Sequence, residues 1–338
     1  MRKILLFAAM CLMALSMSAQ TLFETTKAAA QNGDMISQYN LGLYYAAGNM
    51  VKQDSTEAMY WWRRAADQGM IEAQHTLGLC YYDGKGVPQN YAQAITWFRK
   101  AADKGYAPSQ YKLGNCYLNS SEAEQDYKQA AYWFRKAAEL GYANGQLNLG
   151  YCYQEGYGVK EDPQQAVYWY IKAAEQGEAT AQYNLGCCYL EEDGYGVEQD
   201  YAKAVYWFRK AADQGYAAAQ SNLGVCYENG WGVKKDLEQA VKSYRKAAEK
   251  GYALAQFNLG NCYYEGIGVT ADKEQAVFWY LKAAMQGEAK AQYNLGYLFY
   301  ENESYATKYW MRKAAAQGFE DAEYWAVEDT PPGVPMMR

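Results

Sequence analysis

The dipeptide Leu-Gly places its glycine at Gly42, Gly78, Gly114, Gly150, Gly186, Gly224, Gly260 and Gly296, so it returns every 36 residues apart from one step of 38. A second ladder runs out of phase with the first. It consists of Ala65, Ala101, Ala137, Ala173, Ala211, Ala247, Ala283 and Ala314, each followed by another alanine and then, three residues on, by a glycine. The hexapeptide AQYNLG stands at 181–186 and again at 291–296, and SQYNLG at 37–42. A catalytic site is assembled once from unlike residues, so verbatim repetition speaks of architecture. A period of this size marks a solenoid of stacked units rather than one globular core.

Both halves of a unit carry helical spacing. In the first half Ala73, Leu77, Cys80 and Tyr81 share a face, and Gly78 removes a side chain where a neighbouring helix can approach. In the second half Ala94, Trp97, Phe98, Ala101 and Ala102 do the same. The paired glycines of the connection, as in DGKGVPQN, suit the left-handed conformation that ends a helix. The second helix opens on Asp54, Asn90, Asp126, Asp162, Asp200, Asp236 or Asp272, with Glu57, Gln93, Gln129, Gln165, Lys203, Gln239 or Gln275 three residues later. Nearly every unit therefore holds the residues of a reciprocal N-terminal cap. Pro163 falls in a first turn, where proline is tolerated.

The pattern A-x-x-x-L-G-x-x-Y-x-x-G-x-G-V, then D, then A-x-x-W-x-x-K-A-A-x-x-G, resembles the Sel-one-like repeat, a relative of the tetratricopeptide repeat, over roughly residues 22–327. The resemblance implies an all-α fold, a right-handed α-α superhelical solenoid of about eight helix-turn-helix units whose first helices line the concave face. It also implies an adaptor that holds other proteins. The units depart from the pattern at Ser120 and Glu122, which replace loop glycines, at Ser243, which replaces the repeated tryptophan, and in a shortened eighth unit. The expected organisation is a signal peptide at 1–19, a capping helix at 20–33, eight repeats over 34–318, a C-terminal capping helix at 319–328 and a flexible tail at 329–338. End pieces of this kind cover the last apolar faces of an array.

Arg2 and Lys3, the apolar segment Ile4 to Leu15 and the small residues Ser16 to Ala19 read as a cleaved export signal, which places the mature chain in the periplasm or outside the cell. The apolar part is too short for a membrane span. Lys and Arg total 32 against 38 Asp and Glu, with no basic cluster, which argues against nucleic acid.

Chemical readings find little to build on. The recurrent G-x-G follows a helix, and an acidic cap stands at the next helix start, where it would repel an anion. His75 is the single histidine, too few for triad chemistry or a histidine-rich metal site, and is expected to face solvent or a partner. The acids Glu191, Glu192, Asp193, Glu198 and Asp200 match no calcium loop. Cys80, Cys116, Cys152, Cys188, Cys226 and Cys262 share one repeat position on the packing seam and read as small buried hydrophobes, whereas Cys187 is expected to face outward. Cysteine-rich members of the resembled family are described as binding or slowly cleaving β-lactams, and Ser-x-x-Lys occurs at Ser109/Lys112 and Ser243/Lys246. The companion motifs S-D-N and K-T-G are absent. No catalytic residue, metal or cofactor is assigned.

Two surfaces are left. Arg99, Lys100, Arg135, Lys136, Arg209, Lys210, Arg245 and Lys246 line the outside of the second helices, with Asp103, Glu139, Asp213 and Glu249 close enough for weak ion pairs. On the first helices, the positions opposite the core carry much of the chain's complement of 36 tyrosines. One column reads Tyr39, His75, Tyr111, Leu147, Tyr183, Ser221, Phe257 and Tyr293; a second includes Tyr151 and Tyr297; a third includes Tyr82, Tyr264 and Tyr300. A solvated face should be charged, so this aromatic face is the expected site for a protein or peptide ligand, with a glycan, including peptidoglycan, as the alternative.

Overall fold

The computed structural model describes residues 20–119, 126–192, 196–300 and 305–326. The expected signal peptide, the carboxy-terminal tail, Ser120, Glu122 and Asp193 lie outside these residues. Helix α1 covers 20–31. The first helices of the units are α2 (Met35–Ala47), α4 (Ile71–Asp83), α6 (Ala107–Asn119), α8 (Ala143–Glu155), α10 (Ala179–Leu190), α12 (Ala217–Asn229), α14 (Ala253–Glu265) and α16 (Ala289–Leu298). The second helices are α3 (Ser55–Asp67), α5 (Tyr91–Ala102), α7 (Tyr127–Glu139), α9 (Pro163–Glu175), α11 (Tyr201–Asp213), α13 (Leu237–Glu249), α15 (Lys273–Met285) and α17 (Tyr305–Ala315). No strand occurs among the described residues. Two compact stretches, up to Lys172 and from Ala173, are each built by packing a first helix on its own second helix and that second helix on the next first helix.

The glycine column explains the first of these contacts. A side chain on Gly150 would put its Cβ 2.7 Å from Cδ1 of Tyr170, and one on Gly224 or Gly260 would stand 2.6 Å from the ring of Tyr244 or Tyr280. Gly42, Gly78, Gly114, Gly186 and Gly296 face Trp62, Phe98, Phe134, Phe208 and Met311 in the same way. Mid-helix glycine costs about 1 kcal/mol relative to alanine, and the close ring contact offsets it. Around each contact the leucine and alanine columns are buried, as at Leu149, Ala166, Ala173 and Ala174.

A buried glutamine makes the second contact. Nε2 of Gln38, Gln74, Gln110, Gln146, Gln182, Gln220, Gln256 and Gln292 donates to the carbonyl of Ala30, Ala66, Ala102, Ala138, Ala174, Ala212, Ala248 and Ala284, at 3.0–3.2 Å. Each acceptor lies in the last turn of the preceding helix, where backbone carbonyls lack intrahelical partners. This is the role of the Gln in AQYNLG, a residue that the sequence reading left without one.

The second helices start as expected, but with half the expected cap. Asp54 Oδ1 accepts from Thr56 and Glu57 N–H at 2.9 and 3.0 Å, and Asn90, Asp126, Asp162, Asp200, Asp236 and Asp272 each accept from the N–H three residues on. The return bond to the cap residue is pre-empted. Its backbone N–H donates to a tyrosine carbonyl of the first helix, as in Asn90 to Tyr81 and Asp162 to Tyr153, both 2.9 Å. The loop between is closed by glycines: Gly84 ends α4 at φ 72°, and Gly158 crowds the Tyr127 carbonyl of the previous unit too closely for any side chain.

The ends are covered. Phe23 and Ala30 of α1 pack with Leu41 and Trp61. At the other end the expected α-helical cap is instead a 3-10 helix, Glu320–Ala326, whose Ala322 packs on Met311 and Ala314. We expect Gly150→Leu to lower unfolding free energy by more than about 2 kcal/mol through overpacking on Tyr170. Urea unfolding followed by circular dichroism checks this, and an unchanged midpoint would contradict the packing described here.

Candidate binding face of the first helices

The three aromatic columns occupy two depths. In the first column the rings are half-buried and seated on the second helix of their own unit: His75 on Phe98, Tyr111 on Phe134, Tyr183 on Phe208 and Phe257 on Tyr280, with centroids 5.6–6.1 Å apart. Each also meets the ring that opens the next unit where there is one: Tyr106 for His75, Tyr142 for Tyr111, Tyr216 for Tyr183, Phe319 for Tyr293. Tyr39 packs against the cluster of Ala58, Trp62 and Leu77, and Ser221 is buried outright. Tyr183 and Phe257, expected to stand clear of the core, are thus part of its wall. The sequence reading did not single out Tyr106, Tyr142, Tyr216 and Phe319, although each follows the Ala-Ala-x-x-Gly glycine directly.

The other two columns lie nearer the surface. Tyr151, Tyr264 and Tyr297 are exposed, Tyr82 and Tyr300 half-buried, and Tyr82 meets Tyr91 edge-on at 5.4 Å. Three of the expected residues converge in the second stretch. Tyr264, Tyr293 and Tyr297, with Asn261, Glu265, Tyr280, Asn294 and Leu298, line a cavity of about 260 Å³ formed by α14, α15 and α16. Its floor is ordered by hydrogen bonds. The Tyr280 hydroxyl donates to Asn261 Oδ1 at 2.6 Å, and Asn294 Nδ2 donates to the same oxygen at 3.3 Å. Burial raises the Tyr280 phenol, so it stays protonated and donating. The hydroxyls of Tyr170 and Tyr244 also donate in their units, to Gln154 Oε1 at 2.8 Å and to Glu228 Oε2 at 2.6 Å. Where the core ring is Phe98, Phe134 or Phe208, the facing residue is Tyr82, Leu118 or Leu190.

His75 departs from the expectation of a solvent-facing residue. Its Nδ1 lies 2.8 Å from Oγ of the fully buried Ser109, and burial, with a smaller contribution from Lys112, lowers its pKa to about 4. Ser109 is therefore enclosed, and Lys112 Nζ lies over the Tyr82 and Tyr111 rings at 5.4 and 5.9 Å. Ser243 Oγ donates to the Gln239 carbonyl at 2.8 Å. Ser243 has its hydroxyl spent on the backbone, and Ser109, although hydrogen-bonded to His75, is fully buried where a substrate cannot reach it.

The cysteine column is buried, and the thiols of Cys80, Cys116, Cys152, Cys188, Cys226 and Cys262 are pushed by burial to about 11 or 12. Cys187 does not face outward. It packs half-buried beside Tyr183, with Asn222 Nδ2 3.8 Å from its sulfur, and its thiol is pushed to about 11. The described residues contain no group of three or more His, Cys, Asp and Glu suited to a metal. Asp200 caps α11 and pairs with Lys203 at 3.1 Å.

The basic row does not form the expected ion pairs. Among the described residues none joins it to Asp103, Glu139, Asp213 or Glu249. Its arginines instead donate to tyrosine hydroxyls of the next first helix, Arg99 to Tyr117, Arg135 to Tyr153, Arg209 to Tyr227 and Arg245 to Tyr263, and Arg63, at the same repeat position, donates to Tyr81. Several lysines lie over rings, Lys100 3.9 Å from the Trp97 centroid and Lys282 4.5 Å from Phe278. Cation and ring attract without the desolvation cost of a paired carboxylate.

The Sel1 repeat model matches residues 36–70, 71–106, 107–142, 143–178, 179–216, 217–252, 253–288 and 289–319. The structure is similar to that of c5321, a protective antigen of uropathogenic Escherichia coli with an SLR fold: 37% identity, TM-score 0.79, covering 91% of this chain and 68% of that one. It is also similar to a Sel1 repeat protein from Oxalobacter formigenes, at 38% identity and TM-score 0.67, covering 82% of this chain and 79% of that one. No curated protein matches.

His75 gives a pH signature. Its folded pKa lies below the unfolded value of 6.5, so the stability tied to its neutral form is present above 6.5 and is lost as pH falls towards 4. An NMR titration should place its midpoint near 4. His75→Gln should flatten the loss of stability in that window, and a midpoint near 6.5 would show an open imidazole.

Proposed function

Because the chain belongs to the Sel1 repeat family, whose members generally serve as protein-interaction scaffolds, we propose that it is a non-catalytic adaptor that holds an extended peptide or a partner's surface on the first-helix face. The observation that carries this reading is the cavity of Tyr264, Tyr293 and Tyr297 over the Asn261–Asn294 floor. Tyrosine offers rigid amphipathic contact at low entropic cost, and side-chain amides match the donors and acceptors of a peptide backbone. Seated rings behind it, such as Phe257 on Tyr280, hold the floor in place before a ligand arrives. Tyrosines beside Asn and Glu also suit a sugar face, so the glycan reading is kept as the rival outcome of the same test. Enzymatic β-lactam hydrolysis is not proposed, since Ser109 is fully buried and a substrate carbonyl cannot reach its hydroxyl.

The amino-terminal segment supports export as part of the proposal. The partner would then be met in the periplasm or outside the cell, and amino-terminal sequencing of the protein recovered from those fractions tests it. Among the described residues no helix is long and apolar enough to cross a membrane.

The proposal is tested on peptide and glycan arrays, followed by titration of the selected ligand. Tyr264→Ser with Tyr297→Ser should leave the unfolding midpoint nearly unchanged and weaken binding by about 2 kcal/mol or more. Phe257→Ser should instead destabilise the fold, by about 1–3 kcal/mol. Unaltered affinity in the double variant would place the ligand elsewhere. Selection of glycans alone would decide for the rival reading.

A further inference from the structure

The cavity formed by α14, α15 and α16 has a counterpart at α4 and α6, where the chain supplies a cation of its own. Counted from the buried glutamine of each first helix, Lys112 holds the position of Asn294, and Tyr82, Asp83 and Tyr111 hold those of Tyr264, Glu265 and Tyr293. In this counterpart the Lys112 ammonium lies over both rings, 5.4 Å from the Tyr82 centroid and 5.9 Å from the Tyr111 centroid. At such distances the negative faces of the rings attract a cation. The other seven first helices carry asparagine or threonine at the position of Lys112.

Between α14 and α16 the ring pair is kept and the cation is not. Asn294 is neutral and donates into the floor, to Asn261 Oδ1 at 3.3 Å. A third ring joins the pair, because Tyr297 stands where the counterpart has Asn115. The lining of this cavity of about 260 Å³ holds one carboxylate, Glu265, and no lysine, arginine or histidine among the described residues. Asp83 in the counterpart is paired with Lys85 at 2.9 Å, whereas Ile267 takes the place of Lys85 beside Glu265. A second carboxylate is near: burial raises the Tyr293 phenol most, and Asp321 raises it next. Three rings and a carboxylate with no positive charge among them are complementary to a cation on a slender stem. Building on the reading of this cavity as the peptide site, we propose that it is a socket for a lysine side chain of the partner protein. Its ammonium lies over Tyr264 and Tyr293 as that of Lys112 lies over Tyr82 and Tyr111, with Glu265 as the counter-charge.

The probe is an acetylated, amidated Gly-Lys-Gly peptide titrated into the whole protein carrying nitrogen-15 asparagine, so that the side-chain amides of Asn261 and Asn294 report on the cavity by NMR. The control is the same peptide with its lysine acetylated, which keeps the stem and removes the charge. The expected result is a saturable shift of both amides, with the control binding at least about tenfold more weakly. Asn294→Lys, which gives the chain its own ammonium at the place of Lys112, should abolish the shift of Asn261. Glu265→Gln, at an exposed position, should weaken binding about fivefold or more with Tm unchanged. Equal binding of the control, no shift of the amides, or undiminished binding to either variant would each overturn the lysine socket. Array-selected peptides without lysine that lose affinity in the Tyr264→Ser, Tyr297→Ser variant would overturn the socket and leave the peptide face standing. A lysine peptide indifferent to those two substitutions would overturn both.

Discussion

The contact of a backbone glycine with an aromatic ring governs the rest of this structure. In every unit the first helix presents a surface without a side chain, and the second helix lays a large side chain across it, Tyr170 on Gly150 or Phe208 on Gly186. Two helices held that close bring the tyrosine carbonyl of one within reach of the cap N–H of the other, as in Asp236 to Tyr227 at 2.9 Å. Glutamine then ties unit to unit. A solenoid has no single core, so each interface has to be sufficient by itself, and this one couples apolar area to satisfied backbone groups.

The same ring decides what the first-helix face looks like. A tyrosine at the core position extends its hydroxyl to the face and fixes a polar residue there, as Tyr280 fixes Asn261 and Tyr170 fixes Gln154. Where the core ring is Phe134 or Phe208, the position of Gln154 carries Leu118 or Leu190 instead. The character of the face therefore changes along the array without any change of backbone. Rings seated behind the face stiffen it, while Tyr151, Tyr264 and Tyr297 supply exposed contact area. That division between support and contact is what a preorganised binding surface requires.

Much of this was legible in the residues. Period, helix pairs, capping acids, loop glycines and the buried cysteine column follow from spacing and backbone chemistry alone. Depth was harder. Helical periodicity assigns His75, Tyr183 and Phe257 to the side opposite Leu77 and its equivalents, yet it cannot say how far a long ring reaches back towards the neighbouring helix. Bonding partners were harder still. The Gln of AQYNLG has no evident role until the Ala carbonyl beside it is seen. The cap glutamines read as reciprocal partners until the tyrosine carbonyl is seen to take the N–H first. Lysine and arginine beside acids suggest ion pairs, but the rings were nearer. Each miss is a case of one group with two eligible partners, and only three-dimensional distance chooses between them.

The central claim is that glycine and ring specify one another, and a double-mutant cycle at Gly186 and Phe208 tests it most directly. A Cβ at position 186 would stand 2.6 Å from the Phe208 ring, and that ring carries no hydroxyl to complicate the comparison. Urea unfolding of Gly186→Ala, Phe208→Leu and the double variant isolates the coupling, because the helix propensity of alanine cancels across the cycle. The account predicts that the methyl group is destabilising beside phenylalanine and tolerated beside leucine, with a coupling energy above about 1 kcal/mol. Additive effects would mean that the glycine face is not what holds the helices together.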